Sequence, residues 1–338
     1  MASTQESAAE LSPSQGAPNR NTLVPIEAIR NAARALKGVA VRTPLLDIPA
    51  LRQQLGVPVA AKCEHLQPVG AFKIRGAYTA ISRIEEHSRA RGVITYSSGN
   101  HGQAVAMAAR LLGTKAVVVM PERAPAIKVA GVRRLGGEVV IAANSSADRY
   151  RLAHELAEER GLAIVPPYES LDVIAGQGTC GLEILEERPE VETILVPVGG
   201  GGLIAGIAAA VAELKPSVRV IGVEPQGAPK LARALEQGQP VQLESTQSLA
   251  DGLLPLSVGK LPFAVMSGVV RESVLVSEAE IAAAVRFLYH ELQLVTEPSG
   301  AVTTAALLSG RVRPTGSTVV VVSGGNVDPE VFNRLVNS

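Results

Sequence analysis

The chain has 338 residues, 46% of them hydrophobic, with no Trp and only 3% aromatics, enough apolar material for one large domain or two ordinary ones. Lys plus Arg and Asp plus Glu each number 32, so the net charge is zero and the basic footprint of a nucleic-acid binder is absent. Cys63 and Cys180 lie far apart, and the five histidines (His65, His87, His101, His154, His290) show no ligand pairing; this argues against a disulfide scaffold or a metal centre and predicts a reducing, cytoplasmic setting. No run reaches the ~18 uninterrupted apolar residues that a membrane helix needs, so no membrane partner is expected.

Residues 1–21 are rich in Ser, Ala, Pro and Gln and lack an apolar signal region. They predict a disordered tail. A transit peptide fits poorly, because Glu6 and Glu10 precede the first Arg, Arg20. The next distinctive segment is Gly70-Ala71-Phe72-Lys73-Ile74-Arg75-Gly76-Ala77, at the predicted start of a helix running to about Arg83. A helix N-terminus and apolar neighbours both favour a neutral Lys73 amine, which is what Schiff-base chemistry requires. A lysine laid along the surface would look the same in this octapeptide.

From about residue 90, β-branched runs alternate with amphipathic ones. Strands are predicted at 93–97, 116–120, 138–141, 163–165, 193–198, 218–223 and 318–322. Helices are predicted at 103–112, 147–160, 173–187 and 203–214, and Ser277 with Glu280 forms a capping box opening a helix at 278–292. The alternation predicts an α/β fold of parallel sheets with helices on both faces. Its active site should then lie in the crevice at the carboxyl ends of the strands.

Three loops that follow predicted strands carry chemistry. Ser97-Ser98-Gly99-Asn100-His101-Gly102-Gln103 offers hydroxyls, an amide and exposed N–H groups at a helix start, a good receptor for a carboxylate. His101 alone would more often be structural. Gly199-Gly200-Gly201-Gly202 joins a strand to the helix beginning at Leu203, which makes a phosphate cradle. Gly200-x-Gly202-x-x-Ala205, with Glu224 ending the next strand, also satisfies a dinucleotide fingerprint. Ser323-Gly324-Gly325-Asn326 sets a small hydroxyl at the end of a very apolar strand, where it would meet a single polar atom or form a plain Gly-Gly turn.

Together, in this order, these segments resemble the β-family of pyridoxal-phosphate enzymes, in the branch of serine/threonine dehydratases and serine racemase. The resemblance runs from about Thr22 to Asp328 and also takes in Lys62-Cys-Glu-His-Leu-Gln67, Ala175-Gly-Gln-Gly-Thr179, Glu224-Pro225, Ala250-Asp-Gly252 and Glu297-Pro298. It implies two interleaved lobes, each a mostly parallel sheet flanked by helices, as in tryptophan-synthase-β-like enzymes. Residues 22–70 and 169–338 would form a large cofactor-binding domain, and 71–168 a small mobile one. The cofactor implied is pyridoxal 5'-phosphate. Lys73 would hold it as a Schiff base and take the substrate α-proton. Gly199, Gly200, Gly201 and Gly202 with Leu203 would bind its phosphate, Asn100 would meet its ring hydroxyl, and Ser323 its ring nitrogen. Ser97, Ser98, Gly99, Asn100 and His101 would grip the carboxylate of a small amino-acid substrate. The reaction implied is dehydration and deamination of L-threonine or L-serine, and a homodimer is the family habit.

Some positions depart from the pattern or leave it open. Ser98 stands where racemases keep a second acid/base and many threonine dehydratases have Ala, so racemisation of serine or hydroxyaspartate is an alternative; equally, Ser98 would be a loop hydroxyl holding Gly99. Tyr168 stands where serine racemase has a polar amide. A cysteine-synthase type of carboxylate loop would end in Thr rather than His101. An NAD(P)-dependent oxidoreductase would leave Lys73 and Ser323 without a role. Metal-stimulated relatives have a carboxylate six residues after the acid matching Glu224, but this chain has Lys230. No metal ligand set is therefore expected, and the Lys230 ammonium is expected either in the cation's place or pointing to solvent.

Overall fold

The computed structural model describes residues 23–97 and 99–337, so the tail predicted for 1–21 and the candidate Ser98 lie outside the described residues. Ten strands are described: β1 Leu45–Asp47, β2 Val59–Lys62, β3 Val93–Tyr96, β4 Ala116–Pro121, β5 Glu138–Ala142, β6 Ala163–Ile164, β7 Thr193–Pro197, β8 Arg219–Pro225, β9 Glu272–Val276 and β10 Thr318–Val321. They form a six-stranded sheet in the order β1-β2-β10-β7-β8-β9 and a four-stranded sheet in the order β5-β4-β3-β6. All neighbours are parallel except β1 with β2. The chain leaves the large sheet after β2, builds the small one, and returns at β7. This is the α/β fold predicted, with the smaller sheet inserted in the larger.

Alternation along the strands explains how both faces of the large sheet are buried. Ile194, Val196, Val319 and Val321 enter one apolar cluster, while Leu195, Val320 and Val322 enter the other. In the small sheet Val118 and Met120 face one side, Val117 and Val119 the opposite side. Side chains of successive strand residues point to opposite faces, so near-continuous valine runs require helices on both. The predicted helix at 278–292 forms as Glu278–Leu292, and its box closes reciprocally, with Ser277 Oγ accepting from the Glu280 N–H and Glu280 Oε2 from the Ser277 N–H.

Three helices around the centre pack backbone to backbone. A Cβ on Gly206, in helix Gly202–Leu214, would sit 2.4 Å from the amide nitrogen of Gly178, in helix Leu171–Glu187. One on Gly176 would sit 2.5 Å from the carbonyl oxygen of Arg75, in helix Lys73–Ser82. Buried charges complete the joint. Arg75 donates to both carboxylate oxygens of Glu64, at 2.7 and 2.8 Å, and to both of Glu183 at the same distances. Lys62 Nζ reaches Glu183 Oε2 at 2.7 Å. Burial works against the Glu64 carboxylate, but Arg75 outweighs it and holds its pKa below the ordinary value. Arg75 thereby fixes the helix whose first residue is Lys73.

Candidate active site

The carboxyl ends of β3, β7 and β10 open on one cleft of about 520 Å³, within the range of small-molecule sites. Lys73, Ser97, Gly99, Asn100, His101, Gly199, Gly200, Gly201, Gly202, Leu203 and Ser323 all line it. Segments up to 250 residues apart in the chain thus meet in the crevice where a parallel α/β sheet is expected to place a ligand.

Lys73 opens its helix beside Phe72, whose ring centroid lies 5.1 Å from Nζ. The amine donates to the carbonyl of Pro167 at 2.9 Å. Burial pulls its pKa down to about 8 from an ordinary 10.5, so the neutral, nucleophilic form is accessible near neutrality. The side chain lines the cleft rather than lying along the outer surface. His101 is buried: burial first, then the Lys73 charge, lowers its pKa to about 3. Its Nε2 contacts the Val165 carbonyl at 3.1 Å, which can only accept, so Nε2 carries the hydrogen and Nδ1 is left as an unpartnered acceptor.

The glycine loop enters its helix through Gly201, at a φ of 92° that favours glycine. Side chains here would fill the cradle. A Cβ on Gly199 would come within 3.0 Å of the Gly252 carbonyl, and on Gly200 within 2.1 Å of the Tyr168 ring. Backbone N–H groups at the helix start are left to face an anion. Ser323, buried at the end of β10, brings a hydroxyl that donates to the Ser299 carbonyl at a long 3.5 Å. Asn100 Nδ2 donates to Glu297 Oε1 at 2.6 Å, while its Oδ1 accepts from Asn326 Nδ2 at 2.9 Å. Ser97 Oγ accepts from the Gly99 N–H at 3.2 Å and shapes the turn.

Several lining residues carry no role in the sequence reading. Lys128, from helix Ala126–Arg134, reaches Asp251 Oδ2 at 2.6 Å and Glu297 Oε2 at 3.7 Å. Burial disfavours its ammonium, but the two carboxylates outweigh it and hold its pKa above the ordinary value. Burial raises the Glu297 carboxyl to about 7, against the pull of Lys128. Asp251 and Glu297 were visible only as parts of motifs, and Lys128 pairs across 123 positions, a distance no local pattern reveals.

A half-buried lysine of lowered pKa, a glycine cradle on a helix start and a neutral hydroxyl fit an aldehyde-bearing aromatic phosphate, the cofactor of one class of enzymes. The family model for pyridoxal-phosphate dependent enzymes matches residues 36–324. The chain belongs to that family, and its cofactor is pyridoxal phosphate. It is 41% identical to the L-threonine ammonia-lyase of Thermotoga maritima, over 93% of this chain and 79% of that one. It is 37% identical to the L-threo-3-hydroxyaspartate ammonia-lyase of Saccharomyces cerevisiae, over 91% and 95%. The structure of maize serine racemase superposes with a TM-score of 0.89 at 37% identity, covering 92% of this chain and 96% of that one.

Proposed function

We propose that this enzyme removes the β-hydroxyl and then the amino group of L-threonine or L-serine, yielding 2-oxobutanoate or pyruvate and ammonia. The observation that carries the reading is the single cleft that gathers Lys73, the 97–101 loop, the glycine cradle and Ser323. The likeness to a threonine ammonia-lyase supports the lyase chemistry.

Pyridoxal phosphate, when bound, supplies an electron sink for the charge developing at the substrate α-carbon. The chain's own residues do the rest. Lys73 is the covalent anchor and, once released, the base that takes the α-proton; an amine with a pKa of about 8 suits that task near neutral pH. The N–H groups of the glycine loop and Leu203, with the helix start behind them, hold the phosphate. Asn100 meets the ring hydroxyl with the amide hydrogen it does not give to Glu297, and Ser323 offers the ring nitrogen a neutral partner. Ser97, Ser98, Gly99 and Asn100 bind the substrate carboxylate, and His101, uncharged, walls that pocket. Residues 71–168 act as the small domain that shuts over the substrate and excludes water, with Lys128 on Asp251 as its latch. A cytoplasmic homodimer belongs to the same reading, and light scattering of the purified holoenzyme checks the dimer.

A second reading, racemisation of serine, is favoured by the likeness to maize serine racemase and by the serine at position 98. One assay separates them. Holoenzyme is given L-threonine, L-serine, D-serine and 3-hydroxyaspartate, and keto acid, ammonia and the enantiomer of residual substrate are measured together. Equimolar keto acid and ammonia without inversion supports the lyase. Inversion of serine outpacing keto acid would overturn it in favour of the racemase, and silence on all four would overturn both.

A further inference from the structure

Lys230 is the first residue of the helix Lys230–Gln237, and it is fully buried. A helix start disfavours a cation. Burial does too, and it lowers the ammonium's pKa against the opposing pull of Glu224. The surroundings nevertheless demand the charged form. Nζ lies 3.3 Å from Glu224 Oε1, 3.0 Å from the Ala228 carbonyl and 3.0 Å from the Leu253 carbonyl. All three partners accept, so all three need an N–H, and only the ammonium carries three.

Glu224 is equally buried, at the end of β8. Its carboxylate also accepts from the Leu231 N–H at 2.8 Å, the Ala232 N–H at 2.9 Å and the Ser273 hydroxyl at 2.9 Å. Those donors are neutral, so Lys230 is the charge that balances it. One carboxylate and two carbonyl oxygens converging on a point are the ligands a hard cation takes. Here that point is filled by Nζ, and the residues present do not fit a divalent ion. The Leu253 carbonyl belongs to the short turn Asp251–Leu253, and Asp251, Gly252 and Leu253 all line the cleft.

We propose that the Lys230 ammonium is the resident cation of this protein, standing where a metal ion would otherwise sit and pinning the Asp251–Leu253 turn to the end of β8. Lys230 does not reach the cleft, so it is a positioning residue. It holds the turn that carries Asp251, the partner of Lys128, and the cleft keeps its shape with no added ion. The inference stands whichever amino acid is turned over.

The test uses three holoenzymes: wild type, Lys230→Met and Lys230→Asp. The aspartate variant would offer two carboxylates and two carbonyls, a ligand set suited to Mn²⁺. Mn²⁺ binding is read by its paramagnetic resonance signal, with melting temperature and steady-state kinetics alongside. Wild type should bind no Mn²⁺ tightly and give the same rate and melting temperature in chelator as in Mn²⁺. Lys230→Met should melt roughly 5–10 °C lower, as expected for a buried carboxylate left unpaired, and should raise KM more than it lowers kcat. Lys230→Asp should bind a single Mn²⁺ per chain, gain melting temperature from it, and recover at least ~10-fold in kcat/KM, since the ion replaces a buried charge partner. Stoichiometric Mn²⁺ binding by wild type that Glu224→Gln abolishes would overturn the proposal, as would a Lys230→Met variant with unchanged melting temperature and KM. Should Lys230→Asp give no folded protein, the wild-type titration and the Lys230→Met melt decide the question.

Discussion

At the scale of single residues, the site is set by how burial treats each charge. Lys73 loses part of its affinity for a proton because it is desolvated, and the rate at which the apoenzyme takes up pyridoxal phosphate should show it. The rate is expected to rise with pH and level off above about 8, the pKa of the buried amine; a profile still climbing toward 10.5 in stopped-flow absorbance would contradict this. The shift also affects stability. Above pH 8 the folded amine is neutral while the unfolded one stays protonated up to its ordinary 10.5, so in the apoenzyme this group adds stability as pH rises through that window. Ser323 gives a separate prediction. A carboxylate there would favour a protonated ring nitrogen, so Ser323→Asp should raise the share of turnovers ending in transamination, measured as aminated cofactor released per keto acid; an unchanged share would refute the role. Lys73 was legible as a candidate because its apolar setting is local. Lys128 was not, since its partners lie in distant segments.

At the scale of elements, most strands could be read because parallel strands buried on both faces must be continuous β-branched runs, and 116–120, 193–198 and 318–322 are such runs. Three strands escaped. β1 has three residues and β2 four, the latter reading Val-Ala-Ala-Lys, and β9 is only partly buried. Their pairing comes from the sheet rather than from their own composition; β2 is drawn in by β10, with Val319 opposite Ala60. Helix Asn100–Leu111 begins three residues earlier than its apolar pattern suggests, because the polar Asn100 and His101 are turned into the cleft. The central glycines permit the close helix packing behind Lys73. Gly206→Ala would push a Cβ against the Gly178 backbone, and such overpacking costs about 1–3 kcal/mol. A melting temperature lower by roughly 2–8 °C is therefore expected in calorimetry, and an unchanged one would show that the helices part easily.

At the scale of the molecule, two sheets share one site, and charge crosses between them where Lys128 meets Asp251 and Glu297. Glu297 has a raised folded pKa, so it contributes stability that is present below its ordinary 4.5 and lost as pH rises through about 7. Lys128→Met removes the cation that restrains this shift. The variant should lose melting temperature between pH 7 and 8 where the wild type does not, and parallel pH–melting curves would contradict it. The two-sheet architecture was legible from alternation and family resemblance, whereas this bridge depends on how the sheets meet and has no sequence signature. Two lysines line the cleft, Lys73 and Lys128, and the proposed chemistry requires the cofactor on the first. Borohydride reduction of the holoenzyme, proteolysis and peptide mass spectrometry decide it directly. The reduced cofactor is expected on Lys73 alone, with none fixed in Lys73→Ala. Label on Lys128, or label that persists in Lys73→Ala, would contradict it.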